Sequence, residues 1–223
     1  MSVGNQMQSE GYGQSLSRPH VWQPAGSGSA EEIFGEKTFL LLHGVGADEF
    51  DLLNLGKALD AKANLLSVRG LVSEGGNRHF MRFADGTFDQ QGVVKAADDL
   101  AGFLAAAAGE YGFDVSKGWA VGFSNGANMS GALVTLHPES VAGVVAFATN
   151  RALDTTGLSP NLEGKKIFIA NGASDAYSPA HVVQSMVQEF TAWGADVNYQ
   201  LHRGGHMITS DHVEVIRDLL AGV

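Results

Sequence analysis

The chain has 223 residues, 44% hydrophobic and 9% aromatic, which suits a packed core and argues against global disorder. Its 14 basic and 24 acidic residues leave a formal charge of −10, which repels phosphate backbones and anionic membranes, so neither nucleic acid nor a membrane is expected as a partner. No cysteine is present, so disulfides, thiolate metal sites and a cysteine nucleophile are excluded together.

The first residues, MSVGNQMQSEGYGQ, have neither a basic start nor an apolar run, so no secretory signal is expected. No stretch approaches the roughly 18 apolar residues of a membrane span. A soluble cytoplasmic protein is the expectation. Residues 1–17 read as a loose tail, and residues 18–223 as one domain. A short strand is expected at His20–Gln23, paired in an edge hairpin with a second near residues 32–35.

The remainder alternates. Thr38–Leu42 (TFLLL) is apolar and too short for a helix, so it reads as a buried strand. Residues 48–59 read as a helix with an acidic first turn, and Asn64–Val68 as a strand. Residues 69–89 show no period and read as a long loop. Residues 89–111 read as a helix: Val93, Ala97, Leu100 and Leu104 recur at helical spacing, and Gly112 stops it. A strand over 119–123, a helix over Asn125–Leu136 and strands over 143–148 and 166–171 follow. A helix over 178–193 is expected, with Ser178 as cap and Pro179 in its first position. A strand over 197–202 and a helix over 210–220 end the series. Strands alternating with helices imply a mostly parallel sheet covered by helices on both faces. Ligands bind such sheets beyond the carboxyl ends of the strands.

The chain contains 29 glycines against 5 prolines, well above the usual glycine share of about 7%, and they cluster at element ends. One cluster is Gly122-Phe123-Ser124-Asn125-Gly126. The bare G-x-S-x-G pattern arises by chance in glycine-rich chains. Between a strand and a helix it marks a tight turn that presents a serine hydroxyl above the sheet. A free hydroxyl is a weak nucleophile and needs an adjacent base. His206, in Arg203-Gly204-Gly205-His206, follows the last strand and is the candidate. Asp175, after the strand over 166–171, is the candidate acid that orients the imidazole. Taken alone, its lesser alternative is a turn or helix-capping carboxylate. Asp211 is a rival inside the following helix. The order Ser124, Asp175, His206 is that of α/β-hydrolases. The Gly-rich turn Leu42-His43-Gly44-Val45-Gly46 follows an early strand, where one oxyanion-hole amide is expected. Val45 and Asn125 are the candidate donors, each typically worth about 3 kcal/mol in the transition state.

LLHGVGADEFDLL, LLSVRG, GFSNGAN, NGASDAYSP and GGHMIT together resemble the carboxylesterase/phospholipase family of α/β-hydrolases, in particular its small bacterial, dienelactone-hydrolase-like esterases. The resemblance runs from about Thr38 to Val223. It implies a triad on Ser124, Asp175 and His206, an oxyanion hole at Val45 and Asn125, and hydrolysis of short-chain carboxylic esters or thioesters without metal or cofactor. A homodimer is frequent in the family. An acyl-thioesterase and a hydrolase-fold binding protein without turnover are the alternatives. Residues 78–83 resemble the family's pocket-covering segment. Arg78, Phe80 and Phe83 either form an aromatic wall with a cation for an acidic substrate group, or anchor the loop to the core. Thr149 and Tyr177 are further pocket candidates. His202, His206 and His212 lack metal-site spacing, and no metal is expected.

Overall fold

The computed structural model describes residues 16–84 and 87–223. Strand β1 (His20–Gln23) is followed by a short helix α1 (Ala30–Gly35), strand β2 (Thr38–Leu42), helix α2 (Leu53–Leu59) and strand β3 (Asn64–Val68). Two small hairpins, β4 (Val72–Glu74) with β5 (Asn77–His79) and β6 (Phe83–Ala84) with β7 (Thr87–Phe88), lead to the long helix α3 (Gln90–Tyr111). Then come β8 (Gly118–Phe123), α4 (Asn125–Leu136), β9 (Gly143–Phe147), β10 (Lys166–Gly172), α5 (Ala180–Ala192), β11 (Asp196–His202) and α6 (Ser210–Ala221).

The main sheet has seven strands in the order β1-β3-β2-β8-β9-β10-β11. All neighbours are parallel except β1, which runs antiparallel along β3 from His20 opposite Val68 to Gln23 opposite Leu65. All five residues of β2 are buried, because helices cover both faces of the sheet. Leu40 and Leu42 point into one core with Val93 and Leu100 of α3, Met129 of α4 and Phe190 of α5. Phe39 and Leu41 point into the opposite core with Leu59 of α2 and Ile216 of α6. Each fully buried large side chain of this kind contributes about 1.5–3 kcal/mol. No helix among the described residues is long and apolar enough to cross a membrane.

Four local expectations are corrected. The second strand of the edge hairpin is instead helix α1. Ser29 accepts from the Glu32 N–H, and the Glu32 carboxylate reaches back to the Ser29 hydroxyl, a reciprocal cap that starts a helix. Helix α2 begins at Leu53, not at Asp48. The Asp48 carboxylate takes the Phe50 N–H and holds the preceding residues in turns, a local bond that competes with the helical ladder. The long loop over 69–89 contains the two hairpins. Gly75 and Gly76 both take positive φ at the β4–β5 turn, which only glycine adopts freely. Helix α5 begins at Ala180 with Pro179 as its cap residue, and the Ser178 hydroxyl donates to the Ala148 carbonyl instead. Most of the expected tail, residues 1–15, lies outside the described residues.

Candidate active site

The candidate residues emerge at the carboxyl ends of β2, β8, β10 and β11. Ser124 sits between β8 and α4 with φ 55° and ψ −118°, a backbone conformation that costs a non-glycine residue energy. Its N–H bonds the Phe147 carbonyl at the end of β9. The close turn depends on Gly126, where an added Cβ would lie 1.9 Å from the Leu42 carbonyl oxygen. The Ser124 hydroxyl does not cap α4, which leaves it free for other partners.

His206 Nε2 lies 2.8 Å from Ser124 Oγ, and His206 Nδ1 lies 2.8 Å from Asp175 Oδ2. A carboxylate only accepts, so Nδ1–H donates to Asp175 and Nε2 is left to accept the serine proton. The Asp175 side chain is fully buried, and its other oxygen accepts the Tyr177 N–H at 2.9 Å. Phe123 and Tyr177 flank the imidazole, each with a ring-centre distance of 5.2 Å. Register brings Asp175 and His206 together, although they are 31 residues apart. Gly172 of β10 pairs with His202 of β11, and beyond the strands the Ala173 N–H bonds the His202 carbonyl and the Ser174 N–H bonds the Gly204 carbonyl. This pairing requires glycine at 172, where a Cβ would lie 2.2 Å from the Gly205 oxygen. Asp211 lies within α6.

The β2–α2 loop faces the same hydroxyl. A Cβ on Gly44 would lie 3.6 Å from Ser124 Cβ. The neighbouring Gly46 N–H is committed to the Arg78 carbonyl, whereas the Val45 N–H has no partner among the described residues. Asn125 opens α4, so its N–H has no intrahelical partner and lies at the positive end of the helix. His43 holds this loop. Its Nε2 accepts the Gly70 N–H at 3.0 Å, so Nδ1 carries the proton and donates to the Gly44 carbonyl at 2.6 Å. Burial pushes the His43 pKa down, in keeping with this neutral tautomer.

Above Ser124 opens a cleft of about 540 Å³. Its apolar walls include Val45, Phe83, Phe88, Phe123 and Tyr177; polar lining comes from Asn128, Asn150 and Asp51. Phe83 and Tyr177, both expected at the pocket, are 58% and 74% exposed and line it. Arg78, Phe80 and Thr149 do not line the cleft. Arg78 is an exposed residue of β5 that contributes its carbonyl, not its guanidinium. Phe80 is 3% exposed and packs against the His43 ring, so it anchors the segment to the core. Thr149 is fully buried, its backbone paired with the Asn171 side chain at both N–H and carbonyl. His202 and His212 pack edge to face at 4.8 Å, and no group of three or more His, Cys, Asp or Glu among the described residues is placed to hold a metal ion.

Residues 34–223 match the sequence model of the phospholipase/carboxylesterase family. The chain belongs to that family. MhqD of Bacillus subtilis (strain 168) is 32% identical over 190 residues, spanning 84% of this chain and 94% of its own. The Bacillus cereus carboxylesterase is 32% identical and superposes with a TM-score of 0.85 over 92% of this chain and 94% of its own. A carboxylesterase from Mesorhizobium loti is 28% identical, with a TM-score of 0.78 over 84% of this chain and 89% of its own. Membership makes the chain an esterase-type α/β-hydrolase, with a small-molecule ester as substrate.

Sequence reasoning missed Phe88, Phe123, Asn128, Asn150 and Asp51 as cleft residues. Asn128 and Asn150 had a usable signal: they are polar residues within a few positions of strand ends, where such folds bind ligands. Phe88 had none, because its place depends on β7 pairing with β6.

Proposed function

We propose that this esterase works through Ser124, His206 and Asp175, with the Val45 and Asn125 amides as the oxyanion hole. The observation that carries this reading is the unbroken chain from Ser124 Oγ through both His206 nitrogens to the buried Asp175 carboxylate, with both links at 2.8 Å.

His206 takes the Ser124 proton as Oγ attacks the ester carbonyl carbon. The carbonyl π electrons move to oxygen, and the two amides meet that charge. Collapse of the adduct expels the alcohol, which takes the proton from His206, and leaves an acyl group on Ser124. Water then attacks the acyl carbon as His206 takes its proton, and the carboxylic acid departs with Ser124 restored. Asp175 keeps Nδ1 protonated and stabilises the imidazolium that forms in each half.

A fluorophosphonate probe followed by peptide mapping tests the assignment. The wild type should be labelled at Ser124. Ser124→Ala should lose labelling and at least about a thousandfold in kcat on p-nitrophenyl esters, with an unchanged circular dichroism spectrum. Labelling at another residue, or turnover retained by Ser124→Ala, would overturn it.

A further inference from the structure

The loop after β2 carries three acids, Asp48, Glu49 and Asp51, and two of them have structural work. Asp48 accepts the Phe50 N–H, and Glu49 takes both arms of the Arg69 guanidinium. The Asp51 carboxylate has neither a hydrogen-bond nor an ion-pair partner among the described residues; only the backbone N–H of Asp51 is bonded, to the Asp48 carbonyl. It is exposed, and it lines the cleft above Ser124. No Lys or Arg is among the described lining residues. The one cation expected from the sequence to serve an acidic substrate group, Arg78, lies outside the cleft.

The rest of the wall is aromatic. Phe83 and Phe88 meet edge to face at 4.8 Å, and Phe123 and Tyr177 stand beside His206. Aromatic faces attract cations through their negative quadrupole, and a nearby carboxylate adds a full charge to that attraction. A cleft with this lining penalises an anionic group, which finds a like charge and no donor cation among the described lining residues.

We propose that Asp51 and the aromatic wall select esters that carry a cationic group, such as a quaternary ammonium, over uncharged isosteres, and reject esters that carry an anion. The inference rests on Ser124 as the nucleophile, since that places the reacting carbonyl in this cleft. Asp51 is solvent-exposed, so the effect is modest: about fivefold in kcat/KM for the cationic over the neutral ester. It weakens as salt screens the pair.

The test uses two matched series. In the first, butyrate esters carry a trimethylammonium, a tert-butyl or a sulfonate group at the end of the alcohol. In the second, p-nitrophenyl esters carry a trimethylammonium, a tert-butyl or a carboxylate group at the end of the acyl chain. In at least one series the wild type should prefer the cationic ester, and the preference should shrink with ionic strength. Asp51→Asn should cut the cation-to-neutral ratio about fivefold, and Asp218→Asn, an exposed change on α6, should leave that ratio as it is. Equal rates on cationic and neutral esters in both series overturn the proposal. So does a ratio unmoved by Asp51→Asn, or one moved equally by Asp218→Asn, which would assign the effect to net charge. Fluorophosphonate labelling of the same preparations separates the two readings: protein labelled at Ser124 but without charge preference refutes only the role of Asp51.

Discussion

Replacing Asn125 by alanine tests how the candidate oxyanion hole is held in place. Asn125 is 4% exposed, and its side chain makes two hydrogen bonds to the segment after β5: its oxygen accepts the Phe80 N–H at 2.8 Å, and its amide donates to the Met81 carbonyl at 3.1 Å. Strand β5, which leads into that segment, holds the other side of the candidate hole, since the Arg78 carbonyl accepts the Gly46 N–H. Asn125→Ala strands a buried N–H and a buried carbonyl. Each orphaned group costs about 1–3 kcal/mol, so a loss of about 3 kcal/mol in unfolding free energy is expected. For a chain of this length that corresponds to a drop of about 6–12 °C in the unfolding midpoint. Slack in the loop also displaces the Val45 amide, so kcat should fall about tenfold with little change in KM. Urea denaturation and steady-state kinetics on a p-nitrophenyl ester measure both. Asn125→Asp keeps the acceptor for Phe80 but puts a carboxylate against the Met81 carbonyl, and it should lose stability as well. An alanine variant within about 0.5 kcal/mol of wild type, with unchanged kcat, would refute this account of the hole.

Gly126→Ala should prevent soluble expression or remove more than about 4 kcal/mol of stability, because its Cβ would overlap the Leu42 carbonyl oxygen at 1.9 Å and the His43 oxygen at 2.6 Å. A variant with a wild-type melting curve would count against the close turn. His212 is buried with neither ring nitrogen hydrogen-bonded among the described residues, and its pKa is pushed down by burial and by His202, against a smaller upward pull from Asp211. Its folded pKa therefore lies below the unfolded value of about 6.5, and the unfolded chain binds the extra proton first. Stability from this source is intact above about pH 6.5 and is lost as the pH falls. His212→Phe should flatten the decline in urea stability between about pH 6.5 and 5, leaving the share due to His43, which shifts in the same direction. An unaltered pH slope would refute the role of His212.

The amino-acid order alone determined the elements whose signals are local. Thr38–Leu42, Asn64–Val68 and Asn125–Leu136 stand where the apolar runs and the glycines put them, because a short buried strand and a glycine-flanked strand-to-helix turn are set by neighbouring residues. The positions of Ser124, Asp175 and His206 just beyond strand ends were legible for the same reason. Where two local signals compete, sequence reading erred: the Asp48 turn displaced the start of α2, and the reciprocal Ser29–Glu32 bonds made a helix of an expected strand. What tertiary structure alone decided is the environment of those residues. The 2.8 Å contacts of His206 depend on the pairing of β10 with β11 and of β8 with β9. Whether Phe80 is an anchor and Phe83 a wall, or Arg78 lies outside the cleft and Asp51 within it, depends on how the hairpin segment packs against the loop after β2 and the start of α4. That packing joins residues far apart along the chain, so no local pattern encodes it.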